Sequence, residues 1–440
     1  MHLRFLAFSC CLLFFGFQTG AQVLLLKSVD QALERGRKEN TSIRQTKIQE
    51  EIAWRDQGLS RANLLPSLAL NLNTDYNLKL PVQMIPAEIF GGTPGTFKQV
   101  RFGQNWNQAA AFDLNTPLLH PEKIAAARAA GKTREQAKHE QQLVTNQVLQ
   151  KIASQYFQYL QCEELIRLNQ MLDSAAARLF LSTRAMYEQQ LVSIIDLNRV
   201  ENLLSSNKLN SLNALSERKL ALQGLMVLLN INPGDSIKVD DYLINYLDPT
   251  LQENTINPLN RPAYLAAEQF ESAMRWKMRQ NLYAGFPRLN FNARYSFSSQ
   301  SNTLFDQAAA RYEFGTLGLQ LNIPLLKGGS NYLQYRKARL QLNLADAKKS
   351  QALLESNAEL NEWKIRLEEK REARKINARR NELALQNLNL SLKLYDEGVI
   401  NLDQLFSVYN EFAQARNAFL KASTEAAIYQ IYIRIETLRL

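Results

Sequence analysis

Leu114-Asn115-Thr116-Pro117-Leu118-Leu119 and Leu321-Asn322-Ile323-Pro324-Leu325-Leu326 lie 207 positions apart, and each opens a very long segment almost free of Gly and Pro. The echo returns at Tyr187 with Leu191 and Leu197 and at Tyr395 with Val399 and Leu405, 208 positions on. A drift of one residue over such a distance marks a tandem duplication. Upstream, Asn63-Leu64-Leu65-Pro66-Ser67-Leu68 faces Ala284-Gly285-Phe286-Pro287-Arg288-Leu289 at an offset of 221, so the first copy carries 14 extra residues between its two prolines. The duplication fixes the unit that the fold must explain. Residues 22–234 form a first repeat, 235–260 a linker and 261–440 a second repeat.

Glycine and proline are scarce in the 440 residues, a composition that favours long helices. The formal net charge is +10. Lys and Arg are nevertheless interleaved with Glu and Asp along the helical segments, with no dense basic block, which argues against a nucleic-acid partner. Residues 1–21 read as a secretory signal. Arg4 supplies the basic start, Leu6 to Phe17 the short apolar core, and Thr19-Gly20-Ala21 the small residues that cleavage needs. Cys10 and Cys11 fall inside that core, where Ala7 and Phe8 make a poor lipid-attachment site. Cleavage leaves Cys162 alone, so no disulfide within the chain is expected. Beyond the signal no apolar run reaches the roughly 20 residues of a membrane-spanning helix, and a membrane could be entered only as strands.

Each repeat reads as helix, strand, loop, strand, very long helix, tight turn and helix. A helix is expected over 28–60. Around 66–80, Leu68, Leu70, Leu72, Tyr76, Leu78 and Leu80 occupy one phase, against Ser67, Asn71, Asn73, Asp75, Asn77 and Lys79 in the other. That period of two describes a strand with one apolar and one wet face. Prolines and glycines across 81–104 suggest an irregular loop. The return strand, 105–116, sets Trp106, Ala110, Phe112 and Leu114 against Asn105, Asn107, Asp113 and Asn115. In the second copy Leu289, Phe291, Tyr295 and Phe297 alternate with polar residues. The partner strand, 311–323, changes phase from Tyr312 and Phe314 to Leu317, Leu319 and Leu321, which predicts a bulge at Gly315.

From Ser330 to Glu397 there is no Gly or Pro. As a helix this segment would reach roughly 100 Å. Leu385, Leu388, Leu392 and Tyr395 form one stripe, while Leu383, Leu390 and Leu394 form another nearly opposite. A helix apolar on two opposed sides needs a neighbour on each, as a stave does in a wall. Gly398 ends it, whereas the first copy has Gln190 at the equivalent position. Return helices are expected over 194–230 and 402–437, with Pro233-Gly234 closing the first and a short strand possible at Ile237 to Val239.

Four spanning strands cannot close a barrel, and open edges in hydrocarbon leave backbone groups unpaired. Closure requires further copies. Two would give eight strands with a filled lumen, and three would give twelve with room for a pore. The fold expected is therefore mainly α with a small β part: a tandem-repeat, long-helix α-barrel plus four strands per chain contributing to a trimeric 12-stranded transmembrane β-barrel.

Over essentially the whole mature chain these features resemble the TolC-like outer-membrane efflux protein family, the outer membrane factors of tripartite efflux or type I secretion systems. The resemblance rests on the duplicated element order, the Pro117-Leu118-Leu119 and Pro324-Leu325-Leu326 steps, and the turns at Tyr187 to Leu197 and Tyr395 to Leu405. It implies a homotrimeric channel in the outer membrane with a helical tunnel in the periplasm. Its tip would dock on a periplasmic membrane-fusion adaptor and an inner-membrane transporter. Tip and gate candidates are Tyr187, Asp196, Tyr395, Gly398, Asp403 and Gln404. Where the family would place carboxylates stand Gln404 and Ser407, which thins the acidic ring. Tyr76, Trp106, Tyr295, Phe297, Tyr312 and Phe314, near the loop ends of their strands, are candidate aromatics at the outer lipid interface.

An exported periplasmic coiled-coil scaffold or adaptor is the competing reading, and four alternating strands speak against it. For an enzyme the sequence offers no nucleophile motif or phosphate-binding glycine loop. His120 and His139 lack metal-ligand spacing and read as solvated helix residues. No cofactor, metal or catalytic residue is expected.

Overall fold

The computed structural model describes residues 23–232, 234–246, 256–304 and 310–437. The signal segment with Cys10 and Cys11, Pro233, and parts of the linker and of the second-copy loop lie outside the described residues. The chain opens with β1 (Val23–Leu26), α1 (Val29–Glu39), α2 (Thr41–Ala62), β2 (Ser67–Tyr76), β3 (Val82–Pro86), β4 (Phe97–Arg101), β5 (Trp106–Leu119), α3 (Pro121–Glu188) and α4 (Ile194–Leu228). It continues through β6 (Ser236–Val239) to α5 (Pro262–Tyr283), β7 (Arg288–Ser301), β8 (Ala310–Asn322), α6 (Ser330–Asp396) and α7 (Leu402–Thr437). The order of helix, strands, long helix and return helix occurs twice, with 68 residues in α3 against 67 in α6, and 35 in α4 against 36 in α7.

Two compact units result. One gathers the described parts of 1–44, 144–256 and 358–440, the other 45–143 and 257–357, and α3 and α6 contribute to both. The second unit holds an antiparallel sheet in the order β2-β5-β7-β8. Its register pairs Leu70 with Phe112, Phe112 with Tyr295, and Tyr295 with Gly315. One face therefore presents Leu68, Leu70, Leu72, Phe112, Leu114, Phe291, Tyr295, Leu317 and Leu319, most of them exposed. The opposite face carries Asn71, Asp113, Arg294, Asn292 and Gln320.

The bulge expected at Gly315 is not there: β7 and β8 pair without a shift from Arg288↔Asn322 to Gln300↔Ala310. Glycine serves a different purpose, because a Cβ at 315 would lie 3.3 Å from Cδ2 of the Tyr295 ring on the neighbouring strand. The change of apolar phase along β8 is thus a real change of face. The stretch 81–104 is also more regular than its composition suggests, since β3 and β4 pair as an antiparallel hairpin from Val82↔Arg101 to Pro86↔Phe97. Pro86 sits at the hairpin end, where no further ladder hydrogen bond is lost.

In the other unit α1, α3, α4 and α7 enclose Leu149, Ile152, Tyr156, Phe157, Leu225, Leu229, Ile431 and Ile435. Each such side chain contributes about 1.5–3 kcal/mol on burial. Gly36 lets α1 lie on α3, for a Cβ there would come 2.1 Å from Ile152 Cδ1. The single helix expected over 28–60 is broken at Asn40, whose backbone is extended (φ −64°, ψ 129°). The linker strand is present as β6, and it pairs in parallel with β1, a strand that the sequence reading did not anticipate. On α6, Leu388 and Tyr395 of the first stripe are buried with Leu385 and Leu392 packed beside them. Leu383 and Leu390 of the second stripe are exposed in the single chain.

Candidate functional site

Two places concentrate the residues singled out by sequence: the turns that follow the long helices, and the four-stranded sheet. At the first turn Gln190 adopts φ +63°, and Leu191 N–H donates to Met186 O at 2.9 Å. At the second, Gly398 adopts φ +73° and Val399 N–H donates to Leu394 O at 2.8 Å. Both are left-handed helix ends that return hydrogen bonds to the last turn. The return helices then start alike. Ser193 and Asp196 form a reciprocal capping box on α4, with Asp196 N–H to Ser193 Oγ at 3.2 Å and Ser193 N–H to Asp196 Oδ2 at 3.1 Å. On α7, Gln404 N–H donates to Asn401 Oδ1 at 2.9 Å and Asn401 N–H to Gln404 Oε1 at 3.2 Å. Asp196 and Gln404 are therefore the same position in the two copies, and each satisfies free backbone groups at a helix start. The Ser193 hydroxyl and backbone N–H hold the Asp196 carboxyl below its ordinary range.

Tyr395 is buried and its hydroxyl lies 3.2 Å from Thr183 Oγ1, joining α6 to α3. Tyr187, its first-copy counterpart, is exposed. Asp403 accepts from Arg199 Nη1 at 2.7 Å, and the same guanidinium is 4.0 Å from Asp196. Arg199 thus ties the start of α4 to the start of α7. The sequence reading missed it, although a cation three residues beyond Asp196 was a visible signal. Also missed was a buried polar junction farther along these helices, where Asn207 Nδ2 and the Tyr409 hydroxyl both donate to Leu172 O, at 3.3 and 3.2 Å. Burial pushes the Tyr409 phenol up to about 12.

On the sheet the six aromatic candidates divide. Tyr76 and Trp106 pair across β2 and β5 with ring centroids 4.8 Å apart, and Tyr295 meets Phe297 edge-on at 5.0 Å. All four belong to the apolar face. Tyr312 and Phe314 fall in the opposite phase, because β8 keeps its register. The wet face is organised by Asp113, which accepts from Asn71 Nδ2 at 2.7 Å and from Arg294 Nε at 2.8 Å and Nη2 at 3.2 Å. Such a two-pronged guanidinium–carboxylate pair fixes three neighbouring strands at one level. Both outer strands, β2 and β8, keep an open edge in the single chain.

His120, expected to be solvated, is buried and lies 2.7 Å from Asn290 Oδ1. His139 is half-buried beside Gln142. Among the described residues no group of His, Cys, Asp and Glu could hold a metal ion, and no helix is long and apolar enough to cross a membrane. A sheet with one apolar face, one wet face and two open edges is suited to joining further copies in a bilayer.

Residues 258–435 match the family described as outer membrane efflux protein. Among curated proteins none matches in sequence. Solved structures are similar along nearly the whole chain. The CmeC outer membrane channel of Campylobacter jejuni aligns with a TM-score of 0.76 at 15% identity, covering 93% of this chain and 85% of that one. The outer membrane protein VceC of Vibrio cholerae gives 0.75 at 14% identity, covering 93% and 95%. The open-state MtrE outer membrane channel of Neisseria gonorrhoeae gives 0.75 at 18% identity, covering 93% and 88%.

Proposed function

We infer that this chain, whose residues 258–435 match the outer membrane efflux protein family, is a TolC-like outer membrane factor and one third of a channel that crosses the outer membrane and continues into the periplasm as a helical tunnel. The observation that carries this reading is the sheet. Its apolar face suits lipid, its Asn71–Asp113–Arg294 face suits water, and its open edges would cost several kcal/mol per unpaired backbone group in hydrocarbon. Three copies of a four-stranded sheet close as twelve strands, which leaves a water-filled lumen. The exposed Leu383 and Leu390 on α6 likewise call for a neighbouring helix. The trimer serves as the exit duct of a tripartite pump or type I secretion system, meeting a periplasmic adaptor and an inner-membrane transporter at the end formed by the helical turns.

At that end the Arg199–Asp403 pair joins the return helices of the two repeats to each other, and the Thr183–Tyr395 hydrogen bond joins their long helices. We assign to them the closed state of the tip. Because Arg199 and Asp403 are exposed, their pairing stabilises the fold by less than about 1 kcal/mol, so loosening it should open the tip without unfolding the chain. In detergent the mature protein is expected to sediment as a trimer, and in planar bilayers Tyr395→Phe with Asp403→Asn should conduct more than wild type at unchanged trimer melting. A folded monomer soluble without detergent would overturn the channel reading. Unchanged conductance in a properly assembled double variant would move the constriction away from these residues.

A further inference from the structure

From Phe314 to Ala345 the chain contains no carboxylate, while Lys327, Arg336, Lys337 and Arg339 give it four cations. Over this stretch β8 ends at Asn322, Gly328 and Gly329 turn the chain at φ +55° and +76°, and α6 begins at Ser330. All four cations are exposed, and among the described residues none of them joins an ion pair. Apolar side chains surround them. Leu325 and Leu326 are 91% and 88% exposed, and the Arg336 guanidinium lies 5.9 Å from the centre of the exposed Tyr332 ring. On α6, Tyr332, Arg336 and Arg339 follow one another at spacings of four and three, so they share one flank. The exposed Leu333, Leu340 and Leu344 form a separate stripe beside it, suited to a neighbouring helix.

The corresponding step of the first repeat is different. After Leu119, Glu122 pairs with Arg288, and Lys123 donates to Asn63 O at 3.1 Å. Its charges are satisfied within the chain. A neighbouring copy would bring few carboxylates to the second-copy cations. The free edge that another copy can offer to β8 is β2, and along and before that edge the only charged residue between Asp56 and Asp75 is Arg61. The negative charge is missing from this stretch of the chain, and the cations stand where the apolar face of the sheet ends.

We propose that the β8–α6 junction is a binding site for anionic phospholipid headgroups in the leaflet on the helical side of the membrane. Lys327, Arg336 and Arg339 meet the phosphates, while Leu325, Leu326 and Tyr332 enter the boundary of the acyl chains. The proposal rests on the strands crossing a bilayer. Each basic side chain at an anionic surface favours binding about fivefold, and three acting together make the site selective.

The test is native mass spectrometry of the full-length trimer, released from a neutral detergent after incubation with equal amounts of phosphatidylglycerol and phosphatidylcholine of matched chains. Wild type should retain phosphatidylglycerol over phosphatidylcholine by at least about tenfold. Lys327→Ser with Arg336→Ser and Arg339→Ser should bring the ratio near one with the trimer intact, and Arg336→Lys with Arg339→Lys should keep most of the preference. Equal retention of both lipids by wild type, or an unchanged preference in the triple variant, would overturn the site. If the triple variant falls apart into monomers while the lysine variant stays trimeric, the cations serve the subunit contact and the lipid site is also overturned. A wild-type chain that never assembles would defeat the channel reading itself, a result distinct from all of these.

Discussion

Gln190 and Gly398 stand at one position of the two repeats, and both hold the left-handed backbone that ends a long helix. For a residue with a Cβ that conformation costs about 1–2 kcal/mol, a cost glycine avoids. Gln190→Gly is therefore expected to raise the melting point of the detergent-solubilised trimer, and Gly398→Ala to lower it. Opposite orders would show that the side chain at 190 makes a compensating contact. A third residue at these turns responds to pH. The Asp196 carboxyl is held down by Ser193, so its contribution is present above the ordinary carboxylate range and disappears as pH falls through its lowered value. The glycine turn was legible from Tyr395 to Leu405, because glycine advertises a positive φ. The first turn was located only by repetition, since nothing in Gln190 itself signals it. The capping roles of Asp196 and Gln404 were also legible in principle, as Ser193 and Asn401 precede them by three.

At the scale of elements, alternation found β2, β5 and β7 because one face of each is largely apolar and the other polar, and found β8 as two stretches of opposite phase. It failed over 81–104, where Pro and Gly mask a hairpin whose residues are largely exposed on both sides. Periodicity also could not detect the break between α1 and α2, since helical residues continue on both sides of it. A single side chain makes that break. Asn40 Oδ1 accepts from Ser42 N–H at 2.9 Å and Ile43 N–H at 3.3 Å, and its Nδ2 donates to Leu228 O at 2.7 Å. It caps α2 and also ties this corner to the end of α4. Loss of a cap costs about 0.5–2 kcal/mol, and a part-buried carbonyl left without its donor up to about 1–3 kcal/mol. Asn40→Ala should thus destabilise by about 1.5–5 kcal/mol, a sum of these two effects, while Asn40→Asp keeps the cap and loses the bond to Leu228. Melting points for the trimers should fall in the order wild type, Asp, Ala. Equal losses in both variants would assign the whole effect to Leu228.

For the whole molecule, the duplication was readable because two copies of one element order must keep their offsets, whereas the number of chains is recorded only indirectly, in a sheet with two free edges. The connections between strands and helices set which ends of the strands should lie outside the cell. Each spanning pair begins and ends on the helical side, so the β3–β4 hairpin and the β7–β8 loop should face the exterior. A Cβ at Gly92 would sit 2.8 Å from the Ala87 Cβ and Ser299 belongs to β7, so neither suits a reporter cysteine. Thr93 and Asn302, both exposed, are better sites. The native Cys162 is buried and its thiol is pushed up to about 11, chiefly by burial, so it should stay silent. Thr93→Cys and Asn302→Cys are expected to react with an impermeant maleimide on intact cells, and Ser193→Cys only after the outer membrane is opened. Labelling of Ser193→Cys on intact cells, with Thr93→Cys protected, would invert the channel in its membrane.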